Sequence, residues 1–366
     1  MRVLVVNSGS SSLKLRLLDA GDRVQRSADL PGDAATDATA LTGLLRDWST
    51  DAVGHRVVHG GTAFAGPVVV DDSVRRQLGE LTDLAPLHQP RSLAALDAVR
   101  AALPDVPAVA CFDTAFHASL PPAAYTYGVP REWLARYGVR RYGFHGLSHA
   151  YCARRAAELA GAAGAERRVI SCHLGAGASL AAIVNGRSVD TTMGFTPLEG
   201  LVMATRSGSV DPGLVLWLQQ KAGLSAAELS TVLTHESGLQ GMAGSADLQT
   251  VEASAAAGDQ AATLAIEVYI HRLVTGIGAM TAAAGGVDVL AFTGGVGEHS
   301  PQIRRRAVDR LSYLGAAIDA DANNAVAADG NITAAGAGVQ IVVVTAREDL
   351  QIARETRSVL EQSVTR

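Results

Sequence analysis

One short pattern occurs twice in this chain and constrains its fold more than any other feature. Val3-Leu-Val-Val-Asn-Ser-Gly-Ser-Ser-Ser-Leu13 has a counterpart in Val169-Ile-Ser-Cys-His-Leu-Gly-Ala-Gly-Ala-Ser-Leu180. Each copy is an apolar run, a turn of small residues closing on Ser-Leu, and a returning run. An apolar run bounded by turn residues reads as a buried strand, and the returning run makes it a hairpin. Two copies at this separation predict a duplicated fold with one copy per domain. At 366 residues the chain is long enough for two cores.

The remaining pattern is consistent with that. Residues 52–58, 106–112, 287–292 and 339–344 read as further strands. Helical spacing runs over 92–103, 148–161, 261–284 and 349–362, and Asp211-Pro212 opens another helix with Pro in its first turn. Asn185-Gly186 is a hairpin turn signal. Strands that alternate with helices predict α/β layers, and the hairpins make the sheets mixed. The polar, Ala- and Gly-rich stretches 31–39 and 319–338 read as surface connections.

Charge and cysteine content exclude several classes. The net charge of −5 argues against a nucleic-acid binder, which carries a basic face. Cys111, Cys152 and Cys172 have no metal-ligand spacing, and an odd number makes no disulfide framework, so reduced thiols are expected. Met1 leads directly into the first apolar run with no leader pattern, and no run reaches the ~18 apolar residues of a membrane span. A cytoplasmic protein with no membrane partner is the expectation.

Several turns and side chains are suited to phosphate chemistry. The turn Asn7 to Ser12 presents backbone N–H groups and hydroxyls, with Lys14 just beyond, and such turns can wrap phosphate oxygens. An ordinary polar hairpin would read the same way. Gly175 to Ser179 repeats the geometry with His173 at its entry. Thr293-Gly-Gly-Val-Gly-Glu298 lies between a strand and a helix, where a ligand or tight packing explains the glycines equally well. Arg56, His145 and Arg206 stand in three separate Gly- or Ser-rich contexts. Cationic groups from several regions are what phosphoryl transfer needs, because it relies on positioning and charge neutralisation. Asp113 and Glu348 end strands, as N-caps do and as Mg²⁺ ligands can.

With these residues quoted, the chain resembles the acetate kinase family of the acetate and sugar kinase, Hsp70 and actin superfamily. The resemblance is carried by Val6-Asn-Ser-Gly-Ser-Ser-Ser-Leu-Lys14, Gly54-His-Arg-Val-Val-His-Gly-Gly61, Leu84-Ala-Pro-Leu-His88, Phe112-Asp-Thr-Ala-Phe-His117 and Tyr142-Gly-Phe-His-Gly146. It continues through Cys172-His-Leu-Gly175, Met193-Gly-Phe-Thr-Pro-Leu-Glu-Gly200, Thr205-Arg206 and Phe292-Thr-Gly-Gly-Val-Gly-Glu298, covering nearly the whole chain in order.

The resemblance implies two duplicated ribonuclease-H-like, actin-like α/β domains with mixed sheets and an interdomain active-site cleft. Residues 1–115 with 349–366 would form the first domain, and 116–348 the nucleotide-binding second. It implies reversible transfer between ATP and acetate, giving ADP and acetyl phosphate, in a cytoplasmic homodimer that feeds acetyl-CoA synthesis. Mg²⁺ would be the metal, with Mn²⁺ able to substitute, organised by Asn7 and Glu348. Asp113, His145, Arg206 and Arg56 would be catalytic. Arg56 would also bind the carboxylate, with Val58, Leu87, His88, Phe144 and Pro197 around the acceptor. Ser10, Ser12 and Lys14 would contact phosphates with His173, Leu174, Gly175, Ala176 and Gly177. Asp247, Leu248, Gln249, Gly295, Val296, Gly297, Glu298 and His299 would hold the nucleoside. Propionate or butyrate as acceptor, or a non-catalytic nucleotide switch, are the alternatives.

Three departures from the family pattern fall on the nucleotide side. Ala176 stands where an Asn is usual, Gln249 replaces an Arg, and His299 replaces an Asn. The chain is also shorter than usual between residues 19 and 52.

Overall fold

A computed structural model describes residues 1–9, 12–32, 38–86, 88–161 and 167–364. The chain divides into two compact units, Met1–Ala118 with Phe144–Tyr151 and Arg347–Arg366, and Ser119–Gly143 with Cys152–Ala346.

The first unit is built on β1 (Val3–Ser8), β2 (Ser12–Leu18), β3 (Val24–Pro31), β4 (Ala52–Val57), β5 (Val68–Val69) and β6 (Ala108–Phe112). The second uses β7 (Arg168–Leu174), β8 (Ala178–Val184), β9 (Arg187–Thr191), β10 (Val289–Thr293), β11 (Gly330–Asn331) and β12 (Gln340–Val343). The sheet orders are β3-β2-β1-β4-β6-β5 and β9-β8-β7-β10-β12-β11, the same topology twice. The sense of every pairing repeats as well. β1 pairs β2 antiparallel and β4 parallel, as β7 pairs β8 antiparallel and β10 parallel. The duplication expected from the hairpin pattern therefore extends across both six-stranded sheets.

Sequence explains the layering. In β1, Val3 and Val5 join Val109, Cys111, Ile352 and Ala353 on one face, while Leu4 and Val6 join Leu41, Leu45, Ala95 and Val99 on the other. Both faces are covered, which is why the run is apolar throughout instead of alternating. β2 is shielded on one side only in part, and its burial alternates, with Lys14 and Arg16 outward. β3 is the edge strand, mostly exposed and charged, which protects a free edge from pairing with other chains. Asn185 and Gly186 both take positive φ, 52° and 75°, so the β8–β9 turn has the twist that hairpins prefer.

The last helix, Glu348–Val364, packs on β1, β4 and β6 of the first unit. It comes close because Gly54 has no side chain. A Cβ there would lie 2.4 Å from Thr356 Oγ1 and 2.7 Å from Ile352 Cγ2. In the second unit the 24-residue helix Gln260–Ala283 buries Ala262, Ile266, Tyr269, Ile270, Leu273 and Ile277, and packs on β8. That spacing is a helical stripe facing a core.

Some boundaries differ from the sequence reading. The helix expected from residue 92 starts at Gln89, with Pro90 in its first turn. The one expected to be capped by Ser148 starts at Gly146, and Ser148 is buried inside it. Thr293 to Glu298, read as a turn, winds into a short helix, Gly294–His299. The stretch 319–338, read as a surface connection, contains helix Ala320–Ala325 and β11, with Asn323 and Ile332 buried. These pieces are too short to show a period.

Candidate active site

In the first unit three parallel strands end side by side, and each delivers one polar side chain. β1 supplies Asn7, β4 supplies Arg56, and Asp113 follows β6 directly. Ligands of open α/β sheets bind at this carboxyl edge. Arg56 Nη2 donates to Asp113 Oδ2 at 2.7 Å, its Nε donates to both Asp113 oxygens at 3.1 and 3.2 Å, and its Nη1 donates to Asn7 Oδ1 at 3.2 Å. Asn7 Nδ2 in turn donates to Glu348 Oε2 at 2.9 Å. The four residues form one continuous chain of hydrogen bonds.

The electrostatics are those of a desolvated ion pair. Only 2% of the Asp113 side chain is exposed and 16% of the Arg56 side chain. Burial pushes the Asp113 carboxyl above the usual aspartate range; Arg56 pulls it back and Glu348 adds to the rise. Burial works against the Arg56 cation, but the charges of Asp113 and Glu348 outweigh it and hold its pKa above the ordinary arginine value. Asp113 and Asn7 take three of the five Arg56 N–H groups, which leaves donors for a further carboxylate.

His145 sits beside this group through the backbone. Gly146 N–H donates to the Asp113 carbonyl at 2.8 Å, and His145 itself has φ of +55°. A left-handed histidine is strained, and such strain gathers at functional sites. Phe144 is buried, its carbonyl lies 3.0 Å from His117 Nε2, and its ring meets His59 edge-on at 5.6 Å. Val58 is buried next to His59, so an apolar wall adjoins the polar chain. His88 precedes the helix Gln89–Ala102. Lys14 is exposed and pairs in register with Asn7 across the hairpin. Ser10 and Leu87 lie outside the described residues.

The corresponding strand positions of the second sheet carry neither an arginine nor a carboxylate. By strand register, the places of Asn7, Arg56 and Asp113 are taken by His173, Thr293 and Ala346. What lies there instead is a cavity of about 370 Å³. Its lining includes Gly175, Ala176, Asp247, Leu248, Gln249, Gly295, Val296 and His299, eight of the residues picked out from sequence. The two small-residue turns abut, since a Cβ on Gly294 would be 2.7 Å from the Leu174 carbonyl. The volume suits a nucleoside-sized ligand.

Not every expected residue faces that cavity. Leu174 and Gly297 are buried beneath it, and His173 and Gly177 are not in its wall. Glu298 turns its carboxylate to the Ala346 N–H at 3.0 Å. Asp247 caps helix Leu248–Ala256, accepting from Gln249 N–H and Thr250 N–H. Glu252 and Tyr269 are among the lining residues that escaped the sequence reading. Burial raises both of their pKa values, and Glu252 accepts from Ser300 Oγ at 3.3 Å. Tyr269 belongs to the apolar stripe of its helix, so its spacing reads as core.

Arg206 is the remaining catalytic candidate and lies in the second unit. Its Nη1 donates to the Pro197 carbonyl at 2.9 Å and approaches Met203 Sδ at 3.6 Å. Burial lowers its pKa, and among the described residues no carboxylate pairs with it. A guanidinium has five N–H donors, so this one keeps donors beyond those its two contacts use.

Residues 36–354 match the Acetokinase family. The chain belongs to the acetokinase family. An acetate kinase of Fervidobacterium nodosum is 43% identical over 401 residues, covering 100% of this chain and 99% of that protein. Among solved structures, Porphyromonas gingivalis acetate kinase matches with a TM-score of 0.90 and 37% identity, covering 98% of this chain and 99% of that one. A propionate kinase from Francisella tularensis matches with the same TM-score at 33% identity, again over 98% of this chain and 99% of the other. Family membership agrees with the duplicated mixed-sheet fold. Among the described residues no helix is long and apolar enough to cross a membrane.

Proposed function

We propose that this member of the acetokinase family moves the γ-phosphoryl group of ATP to acetate, reversibly, giving ADP and acetyl phosphate. The observation that carries the reading is the Asn7–Arg56–Asp113–Glu348 chain at the carboxyl edge of the first sheet, set against His173, Thr293 and Ala346 at the equivalent positions of the second. One edge is built for a small anion and oxygen-bound metal; the other has room for a nucleoside.

In this reading Arg56 takes the acceptor carboxylate, and Val58 and Phe144 limit its alkyl end. A carboxylate oxygen attacks the γ-phosphorus in line. One O–P bond forms, the bridging P–O bond breaks, and its electron pair leaves with ADP. Acetate has a pKa close to that of Glu, ~4.3, so it is already ionised at neutral pH and no general base is required. His145 and Arg206 hold the three equatorial oxygens, where charge is spread in the transition state. The cavity turns at Gly175 and Gly295 receive the nucleotide.

The donor set of Asn7, Asp113 and Glu348 is one amide and two carboxylates, hard oxygen ligands that fit Mg²⁺ or Mn²⁺. Bound there, the cation would neutralise phosphate charge. Asp113 holds Arg56 in place and would help to position such a cation. We also assign a cytoplasmic homodimer to this protein. The exposed Leu214, Leu216 and Trp217, next to Val210, support a self-association face.

The likeness to a propionate kinase gives a second acceptor a specific footing. One methylene is worth only ~1–3 kcal/mol in an apolar pocket. A hydroxamate assay with acetate, propionate and butyrate against ATP, GTP and pyrophosphate tests both readings. Acetate with ATP is expected to give the highest kcat/KM. No acyl phosphate from any pairing would remove the enzyme assignment.

A further inference from the structure

Three residues given no role above, Tyr127, Arg141 and Glu199, form a closed cluster in the second unit. Tyr127 Oη donates to Glu199 Oε2 at 2.5 Å, and Arg141 Nη2 donates to Glu199 Oε1 at 2.7 Å. Tyr127 Oη also accepts from the Phe195 N–H at 2.9 Å. Arg141 Nη1 donates to the carbonyls of Thr192 and Met193 at 3.1 and 3.0 Å. The cluster is packed to contact, because a Cβ on Gly194 would lie 1.7 Å from Glu199 Oε2.

What this cluster grips is a segment with no helix or strand of its own. Residues 192–199 follow β9 and contain Pro197, whose carbonyl is the one oxygen that accepts from the Arg206 guanidinium among the described residues. The backbone beneath Arg206 is fixed separately, by Met203 N–H to the Arg206 carbonyl and Leu239 N–H to the Met203 carbonyl. The base of the side chain is therefore held by its own loop. Its charged end, several rotatable bonds away, donates to the Pro197 carbonyl at 2.9 Å, with Met203 Sδ a longer contact at 3.6 Å.

We propose that Tyr127, Arg141 and Glu199 are positioning residues that aim the Arg206 guanidinium by fixing the Pro197 carbonyl. The inference rests on the phosphoryl-transfer reading, in which Arg206 meets the transferring group. Burial and the neighbouring Glu199 both raise the Tyr127 pKa, so the hydroxyl stays a donor through neutral pH. A misaimed guanidinium weakens the transition state more than the bound substrates, since the charge it neutralises develops during transfer.

The test uses the full chain with Tyr127→Phe, Glu199→Gln, Arg206→Lys and the two doubles. Tyr127→Phe and Glu199→Gln are each expected to lower kcat about 10-fold, with KM for acetate and for ATP within about 2-fold of wild type. In the Arg206→Lys background the same changes are expected to cost nothing further, because residues acting through one group are not additive. Wild-type kcat in both single variants, or the full loss again on top of Arg206→Lys, overturns the proposal. If Glu199→Gln does not fold, Tyr127→Phe, which removes one oxygen, carries the test alone. Independently of turnover, the side-chain Nε–H resonance of Arg206, assigned by its loss in Arg206→Lys, is expected to shift in Tyr127→Phe. An unmoved resonance overturns the proposal even if the wild-type protein forms no acyl phosphate, an outcome that would sink the phosphoryl-transfer reading itself.

Discussion

Arg56 and Asp113 stand 57 residues apart in sequence and share three hydrogen bonds between 2.7 and 3.2 Å at the ends of neighbouring parallel strands. The pair is buried, so its members depend on each other. Asp113→Asn keeps the shape and removes the charge. Its kcat is expected to fall ~100-fold or more, with a changed response to Mg²⁺ concentration. Asp113→Ala should also lose roughly 3–5 kcal/mol of stability in urea titration, because it strands the Arg56 cation. Normal turnover and a normal Mg²⁺ curve in Asp113→Asn would contradict the role given to it.

Glu348 accepts from Asn7 and is the carboxylate at the start of the last helix. Glu348→Gln is expected to raise the Mg²⁺ concentration for half-maximal activity by about 10-fold or more while leaving the fold intact. A titration of initial rate against free Mg²⁺ reads this directly. An unshifted midpoint would remove Glu348 from the metal site.

Gly54 is where β4 meets the last helix. Gly54→Ala places a methyl group 2.4 Å from Thr356 Oγ1, and overpacking of this kind costs about 1–3 kcal/mol. The helix that must give way also carries Glu348. The variant is therefore expected to show both a lower urea midpoint and a higher Mg²⁺ requirement. Loss of stability alone would mean that the helix yields without moving its first turn.

His55 is buried in β4, and neither ring nitrogen has a hydrogen-bond partner among the described residues. Burial, assisted by Arg100 and opposed by Asp97, brings its pKa down from 6.5 to about 3. His59 is lowered by burial to about 4. The unfolded chain takes up these protons near pH 6.5 and the native chain does not. The stability they contribute is complete above that pH and is lost as pH falls towards about 3 to 4. His55→Leu is expected to flatten the fall in urea midpoint between about pH 6 and pH 4 by up to one proton's worth. The same slope as wild type would show that His55 is reached by water in the native state.

Local signals explain what was legible in advance. The hairpin repeat, the Asn185-Gly186 turn and the apolar stripe of Gln260–Ala283 each carry their information within a few residues. The Arg56–Asp113 pair does not, because strand register brings together residues whose spacing says nothing of contact. The same holds for Tyr127 and Glu199, 72 residues apart and joined only by the folded chain. Ser148 shows the opposite failure. A good N-cap residue lies inside the helix because Gly146 N–H is already satisfied by the Asp113 carbonyl, which starts the helix two residues earlier. The stretch 319–338 was missed because its order comes from distant partners: buried Arg304 donates to the Asn323 side chain and backbone, and β11 pairs with β12.

The first unit is made of segments that lie on either side of the second in sequence, with Phe144–Tyr151 inserted between. Val3, Val5, Val109 and Cys111 present an apolar face that is covered by Ile352 and Ala353 of the last helix. During synthesis on the ribosome that face appears before the second unit, and its cover emerges after it. The whole second unit is translated in the interval. The nascent chain thus carries an open apolar sheet while the second unit is made, which makes the first unit the natural client for a chaperone. A nascent chain that has not reached residue 348 lacks the carboxylate assigned to Glu348, so the proposed activity waits until the second unit has been made.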